Sequence, residues 1–169
     1  MRAFGNIFTC LIWCCGMDKN IFKQFFMEMI QNKDNPYHPL VWINGNPEIG
    51  QNVYIGGFSE INAKGARVAI GDNCDIASFT AINCADSHLK TIGLLDHNVC
   101  KNIVLEHNVF VGSHTVILGG THVGHHSVIG AGSVVCGVSI PPYSLAVGHP
   151  LVVKAGYYLE RAGHLGNYR

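Results

Sequence analysis

The segment "ADSH" places two chemically competent side chains, Asp86 and His88, two residues apart. A neutral imidazole can accept a proton near pH 7, and a carboxylate can orient the ring and stabilise its charged form. Glu106, 18 residues after His88, is a second candidate for that carboxylate. From the residues alone, position 88 suits a general base and an ordinary exposed histidine about equally, and Asp86 suits a turn cap as well as a catalytic role.

A sequence repeat with a period of six residues lies on both sides of the segment that contains Asp86 and His88. The aliphatic positions of its clearest part are Leu105, Val111, Ile117, Val123, Ile129 and Val135. This period matches neither the 3.6 residues of a helix turn nor the two-residue alternation of a strand. Glycine follows several of these positions, and Thr or Ser stands two places before them, as tight corners require. Such hexapeptide repeats predict a parallel β-helix, in which three short strands make one 18-residue coil.

A weaker form of the repeat lies upstream, so that the whole repeat extends from about residue 47 to residue 140. Its aliphatic positions are Ile49, Ile55 and Ile61 and, after a slip of three residues, Ile70, Ile76 and Ile82. A polar segment between Ile82 and Leu105 interrupts the pattern. We predict that this segment is a loop, at about 84–104, and that it carries functional residues.

The predicted domain organisation has three parts. Residues 1–40 are an N-terminal extension with a capping helix, residues 41–145 form the β-helix with its inserted loop, and residues 146–169 are a C-terminal tail. The helix is predicted within "DKNIFKQFFMEMIQNK", where apolar side chains form one stripe and Asp18 can cap the first turn. We expect this helix to cover the open end of the solenoid.

The composition excludes some classes of partner. The chain has 169 residues, 48% hydrophobic and 13% charged, and its formal net charge is zero; this suits one domain and gives no basic surface for a nucleic acid polymer. Seven cysteines show no framework spacing, which favours reduced thiols and the cytoplasm. The apolar segment "NIFTCLIWCCGM" is too short to span a bilayer and has no clear cleavage site, so we expect no membrane partner.

Two segments carry a resemblance to a known family. They are "IGDNCDIASFTAINCADSH" and "VFVGSHTVILGGTHVGHHSVIGAGSVV", the second followed by "IPPYSLAVGHP". They resemble the hexapeptide-repeat acyltransferases, particularly the small sugar N- and O-acetyltransferases, and the match covers most of the chain after about residue 37. The resemblance implies an all-β fold, a left-handed parallel β-helix with a short N-terminal helix. It also implies acetyl-CoA as co-substrate and a homotrimer with sites between subunits.

The same resemblance implies roles for individual residues. His88 is the expected base, because these sugar acetyltransferases carry their catalytic histidine at the start of this loop. "FVGS" resembles the family's W-I-G-S, which implies that the backbone N–H of Ser113 stabilises the thioester oxyanion. The adenine end of the coenzyme is expected near the V-G-H-P turn, where the family usually has asparagine in place of His149. The expected coenzyme contacts are Gly112, Gly119, Gly120, Ala131, His149, Pro150 and Lys154.

The acceptor is expected to be a sugar. Asn62 matches an asparagine with which the family holds sugar hydroxyls, and Thr80 and Asn83 are further candidates for substrate binding. A counterpart of the family's sugar-binding aspartate is not found. The chain most resembles acetyltransferases of nucleotide-linked amino sugars such as 4-amino-4,6-dideoxyhexoses, so we expect the sugar amine to attack the thioester directly. A sugar O-acetyltransferase of the maltose or galactoside type is the alternative.

Two further classes of protein stay open. The histidines His107, His114, His122, His125 and His126 lie close together in the repeat, and the hexapeptide γ-class carbonic anhydrases bind zinc between subunits through three histidines. The ligand spacing of that family is not reproduced here, and most of these histidines fall at coil corners, so we expect no metal. A non-catalytic hexapeptide scaffold is the other alternative.

Overall fold

The computed structural model describes residues 18–30, 37 and 40–164. The chain divides into two units, residues 1–34 and residues 35–169. In the first unit, helix α1 (Lys19–Ile30) begins directly after Asp18, whose Oδ1 accepts a hydrogen bond of 2.9 Å from the backbone N–H of Asn20. The predicted helix and its cap are therefore confirmed. The apolar segment that precedes Asp18 lies outside the described residues.

The second unit is a stack of five coils, each built from three short strands. In chain order the elements are β1 (Trp42–Gly45), β2 (Glu48–Ile49), β3 (Tyr54–Ile55), β4 (Glu60–Ala63), β5 (Val68–Ile70), β6 (Asp75–Ile76), β7 (Ala81–Asn83), β8 (Ala85–Asp86), α2 (His88–Thr91), β9 (Val99–Cys100), β10 (Ile103–Leu105), β11 (Phe110–Val111), β12 (Val116–Leu118), β13 (His122–Val123), β14 (Val128–Ile129), β15 (Val134–Cys136), β16 (Ser139–Ile140), β17 (Leu145–Val147), β18 (Val152–Lys154) and α3 (Leu159–His164).

Corresponding strands of successive coils pair in parallel and form three sheets. The first sheet has the order β1-β4-β7-β12-β15, the second β2-β5-β10-β13-β16, and the third β3-β6-β11-β14-β17-β18. The predicted aliphatic positions lie opposite one another in register, as Ile61, Ile82, Ile117 and Val135 do in the first sheet. These four side chains are fully buried. Each buried aliphatic side chain contributes about 1.5–3 kcal/mol to stability. The sequence period is six because each face of the coil places one such side chain in the central stack.

Three corners connect the sheets within the stack. The first corner leads from the first sheet to the second, the second corner from the second sheet to the third, and the third corner from the third sheet to the next coil. Residues in the left-handed region mark the second corner; they are Asn52, Asn73, Asn108, His126 and Tyr143. Buried Ser and Thr side chains fill the inside of the corners, as the small residues of the repeat predict.

The inserted segment leaves the coil at the first corner after β7. Strands β8 and β9 pair antiparallel, with Ala85 opposite Cys100, and the backbone N–H of Lys101 donates to the carbonyl of Cys84 at 2.9 Å. These contacts close the base of the loop, and α2 lies between the two strands. Ile82 and Leu105 are thus 23 residues apart in sequence, yet both keep the register of the coil.

The C-terminal segment contributes to the third sheet. Strand β18 pairs antiparallel with β17, so that Lys154 lies opposite Leu145. This antiparallel strand ends the parallel stack on that side and covers part of the edge of the sheet. Among the described residues, no helix has the length and apolar character needed to cross a bilayer.

Candidate active site

A groove of about 640 Å³ opens beside the first corner, between the inserted loop and the first sheet. The sheet contributes Asn83, Leu118 and Cys136, which are register neighbours on successive coils. The other residues that line the groove are Cys84, Ala85, Asp86, Ser87, His88, Leu89, Thr91, Ile92, Val99, Lys101 and Gly119. One side of the groove is therefore formed by the β-helix, and the other side by the inserted loop, which carries the titratable side chains.

Asp86 and His88 contact each other at the N-terminus of α2. One carboxylate oxygen of Asp86, Oδ1, accepts a hydrogen bond of 3.0 Å from the backbone N–H of His88 and lies 2.5 Å from ring atom Nδ1 of the same residue. Asp86 thus caps the turn and orients the imidazole at once. The backbone hydrogen bond from His88, followed by the side-chain hydrogen bond, lowers the pKa of Asp86 below its usual range.

This contact fixes the proton arrangement of the neutral ring. Because the ionised Asp86 carboxylate only accepts hydrogen bonds, Nδ1 of His88 must carry the proton and Nε2 must carry the lone pair. The His88 side chain is 62% exposed and lines the groove. Its Nε2 is thus available to a molecule that enters the groove, which is what a general base requires.

Glu106 is not brought to His88 within one chain. It follows β10 at the second corner, where Oε1 lies 2.9 Å from Nε2 of His122 and Oε2 accepts the backbone N–H of His125 at 2.8 Å. The His125 hydrogen bond is the largest cause that lowers the pKa of Glu106. Of the two candidate carboxylates, the structure therefore brings Asp86 to the ring of His88.

The three residues predicted to bind the acceptor have different surroundings. Asn83 lines the groove, and its Oδ1 accepts hydrogen bonds from Nδ2 of Asn62 at 3.1 Å and from the backbone N–H of Ala85 at 3.0 Å. Asn62 therefore supports Asn83 from the preceding coil. Thr80 is 1% exposed, and its hydroxyl donates to the carbonyl of Ala77 at 2.7 Å. The structure does not support a sugar contact from Thr80, because this side chain fills the inside of the third corner.

The residues predicted to bind the coenzyme divide between two corners. Gly119 and Gly120 lie at the first corner, and a Cβ on Gly119 would be 3.0 Å from the carbonyl oxygen of Cys84. Gly112 and Ala131 lie together at the third corner, where a Cβ on Gly112 would be 2.4 Å from the backbone nitrogen of Ala131. Only glycine fits at position 112, because the backbones of these two coils lie in close contact there.

The third corner also holds the predicted oxyanion donor. Ser113 is half-buried and its carbonyl accepts the N–H of Gly132 at 2.9 Å. On the next coil Gly148, which precedes His149 and Pro150, donates to Oγ of Ser133 at 2.9 Å. Lys154 is exposed on β18, with Nζ 5.7 Å from the ring centre of Tyr157. Within one chain, Ser113 and His88 therefore belong to two different corners.

Lys101 and Cys136 are among the groove residues that were not predicted as site residues. Lys101 lies at the base of the loop, and its charge helps to lower the pKa of Asp86. Cys136 was expected to be small or inward, but it is exposed, because it follows the inward Val135 and strand alternation points it outward. The alternation of inward and outward side chains along a strand, counted from the inward Val135, is the sequence signal that could have identified Cys136 as exposed.

The histidines of the repeat do not form a single group. His107 and His125 stack on successive coils as predicted, with ring centres 4.9 Å apart, and His126 stacks on Tyr143. His114 instead stacks on Phe79 at the third corner. Burial, and then the neighbouring His125 and His107, lower the pKa of His126. A histidine cluster therefore exists at the second corner, away from the residues that line the groove.

Comparisons with known proteins agree with this architecture. A family model described as the hexapeptide repeat of succinyl-transferase matches residues 48–78 and 102–140. Galactoside O-acetyltransferase of Escherichia coli (strain K12) is 36% identical over 141 residues, which cover 78% of this chain and 64% of the relative. A Staphylococcus aureus (strain MRSA252) protein whose name places it with the acetyltransferases is 33% identical over 143 residues, which cover 80% of this chain and 70% of that protein.

A solved structure shares the fold. The N-acyltransferase AntD from Bacillus cereus, in complex with dTDP and 3-hydroxybutyryl-CoA, superposes with a TM-score of 0.64 at 18% identity, covering 76% of this chain and 73% of AntD. The parallel coils and the similarity over most of the chain lead to one conclusion. The chain belongs to the hexapeptide-repeat acyltransferase family, and its fold is the left-handed parallel β-helix that the sequence predicted.

Proposed function

We propose that this protein transfers an acetyl group from acetyl-CoA to a sugar, with His88 as the general base and Asp86 as the residue that orients it. The observation that carries the proposal is the contact of 2.5 Å between Asp86 Oδ1 and His88 Nδ1, which leaves Nε2 as a proton acceptor beside an open groove. A positioned base of this kind contributes about 10²- to 10⁴-fold to the rate of a proton transfer.

The proposed reaction is a single displacement through a tetrahedral intermediate. The acceptor oxygen or nitrogen gives its proton to Nε2 of His88 as it attacks the thioester carbon. The backbone N–H of Ser113 stabilises the negative charge on the thioester oxygen. The intermediate then expels the thiolate of CoA, which takes the proton back from His88, so that free CoA and the acetylated sugar are the products.

The distribution of residues over the corners supports a site that two copies of the chain share. His88 lies at the first corner, whereas Ser113 and Ala131 lie at the third corner of the same coil stack. Because these groups lie at different corners of one chain, we propose that the first corner of one copy faces the third corner of another. A homotrimer closed by this contact would contain equivalent sites, each completed by the next subunit. The coenzyme would then run along the third corner, past Gly148 to Pro150.

The acceptor that we propose first is a nucleotide-linked 4-amino-4,6-dideoxyhexose. Asn83 lines the groove, and because its Oδ1 already accepts two hydrogen bonds, its amide nitrogen is the group that can bind a sugar hydroxyl. Lys101 lies in the same groove and can pair with a diphosphate. The nucleotide dTDP in AntD shows that this fold can hold such a group. The free thiols of Cys74, Cys84, Cys100 and Cys136 suit the cytoplasm, which we propose as its location.

A sugar hydroxyl is the second candidate acceptor. A neutral amine can attack a thioester without prior loss of a proton, whereas a hydroxyl depends strongly on a base. The Asp86–His88 contact is the arrangement that a hydroxyl acceptor needs, and the relative from Escherichia coli is an O-acetyltransferase. The two acceptors therefore differ in how much activity is expected to remain without His88.

The experiment is to measure thiol release from acetyl-CoA with dTDP-, UDP- and GDP-linked amino sugars and with galactosides and maltose. The His88→Ala variant is the test, and His97→Ala is its matched control. His97 lies in the same loop and also has an adjacent carboxylate, with Nδ1 2.5 Å from Oδ1 of Asp96, but it does not line the groove. We expect release with one acceptor class and normal release in His97→Ala. In His88→Ala we expect a large loss of release if the acceptor is a hydroxyl and a smaller loss if it is an amine. Equal activity of both variants would exclude His88 as the base.

A further inference from the structure

The second corner carries a histidine cluster that the proposed transfer does not use. His107, His125 and His126 each offer a ring nitrogen, and these three atoms all lie within 4.8 Å of one another. The cluster lies in the turns that follow β10 and β13, whereas the groove lies at the first corner. The cluster therefore shares no residue with the groove.

The regular coil positions this cluster. His107 stacks on His125 of the next coil, with ring centres 4.9 Å apart and planes at 14°. His126 follows directly and has a φ of 55° in the left-handed region, where the same corner has Asn73 and Asn108 on the preceding coils. Asparagine is among the residues that tolerate this conformation best. A histidine at this position thus adds a ring nitrogen to the corner while keeping its backbone conformation.

The spacing of the nitrogen atoms fits metal coordination. Nδ1 of His125 lies 3.0 Å from Nδ1 of His126. Two nitrogen lone pairs repel each other at this separation unless a proton or a cation lies between them. A tetrahedral zinc ion with Zn–N bonds of 2.0–2.1 Å holds its nitrogen ligands about 3.3 Å apart. The ring nitrogen of the exposed His107 lies within 4.8 Å of the other two nitrogen atoms.

We propose that His107, His125 and His126 bind one divalent transition-metal ion, with zinc as the expected ion. A set of three imidazoles binds zinc and the other first-row transition metal ions in preference to magnesium or calcium. Across the described ranges, 18–30, 37 and 40–164, no fourth His, Cys, Asp or Glu joins this group. Solvent completes the coordination, and the ion takes no part in acyl transfer in the groove.

The test is zinc binding by untagged protein that has been dialysed against EDTA. We expect one zinc per chain by calorimetry, and a Co²⁺ derivative with the intense visible absorption of a tetrahedral site. His126→Asn should bind zinc at least about 100-fold more weakly, since loss of a ligand exceeds the usual cost of losing a supporting residue. This variant should keep its fold, because asparagine occupies the equivalent left-handed position at Asn73 and Asn108.

The matched control is His114→Asn. His114 has a φ of 59° at the third corner, so the substitution is the same in type and conformation but lies outside the cluster. Zinc affinity should be unchanged in His114→Asn, and acetyl transfer should be unchanged in His126→Asn and after EDTA treatment. The proposal is overturned if the protein binds no stoichiometric zinc, or if His126→Asn and His114→Asn bind it equally well. Since zinc binding is measured without substrate, these outcomes do not depend on the proposed transferase activity.

Discussion

The first and second corners of the coil each pair a carboxylate with an imidazole, but the two pairs have different neighbours. At the first corner, Asp86 binds His88 on an inserted loop, and both side chains are more than half exposed beside the groove. At the second corner, Glu106 binds His122 and also accepts the backbone N–H of His125, both on the next coil. The first pair leaves the His88 ring exposed beside the groove, whereas the second pair links two successive coils.

The difference comes from the length of chain between buried anchors. Leu105 and Val111 are six residues apart, so Glu106 lies on a tight corner whose backbone is already hydrogen-bonded to its neighbours. Ile82 and Leu105 are 23 residues apart, and the extra chain forms a loop with its own antiparallel base. The regular coil therefore supplies stability and the insertion supplies exposed chemical groups.

Replacement of the two histidines should separate the corners most strongly. His88→Ala removes the proposed base, and transfer to a hydroxyl acceptor should fall about 10²- to 10⁴-fold in kcat. His122→Ala removes the partner of Glu106 and should leave kcat within about threefold, because His122 does not line the groove. Steady-state thiol release measures both. A loss of similar size in the two variants would contradict the assignment of catalysis to the first corner.

Replacement of Asp86 should have a smaller effect on the same reaction. Asp86→Asn removes the charge that holds Nδ1–H of His88, and kcat should fall about 10- to 100-fold. Because hydrogen bonds from His88 lower the pKa of Asp86, its carboxylate stays ionised at neutral pH, and wild type and Asp86→Asn should differ fully there. Asp96→Asn, in the other carboxylate–histidine pair of the loop, is the control. If Asp96→Asn loses as much activity, the effect comes from the charge of the loop and not from orientation of His88.

Replacement of Glu106 should change stability more than activity. Glu106→Gln weakens hydrogen bonds from His122 and His125, and because the side chain is 33% exposed we expect a loss of only about 0.5–1 kcal/mol, or a few degrees in Tm. The pKa of Glu106 is lowered on folding, so this stabilisation is present at neutral pH and is lost as the pH falls below about 4.5.

Thermal unfolding of wild type and Glu106→Gln at pH 7 and at pH 3.5 tests this expectation. The difference between the two Tm values should be present at pH 7 and smaller at pH 3.5. A loss of transfer in Glu106→Gln as large as that in Asp86→Asn would return Glu106 to the active site, where a second copy of the chain would have to bring it.

The sequence predicts the coil well because a single physical rule controls it. Aliphatic residues such as Ile117 and Val135 must point inward once per face, so the period of six shows the faces and the break shows the loop. The corners are harder to predict. The choice between Asp86 and Glu106 depends on the path of the loop, and the burial of Thr80 depends on which side of the corner its small side chain fills. The six-residue period does not encode the path of the loop or the side of the corner that a small side chain fills.

The smallest effect is expected at the third corner, where the proposed group belongs to the backbone. Ser113→Ala keeps the backbone N–H that would contact the thioester oxygen, so kcat and the KM for acetyl-CoA should stay within about twofold of wild type. Ser113→Phe should raise that KM strongly without lowering Tm, because the larger side chain would occupy space beside a half-buried corner. Thiol release and thermal unfolding of both variants check this pair. A large loss in Ser113→Ala would mean that the hydroxyl takes part in the reaction, and the third corner would then contribute side-chain chemistry, as is proposed for the first corner.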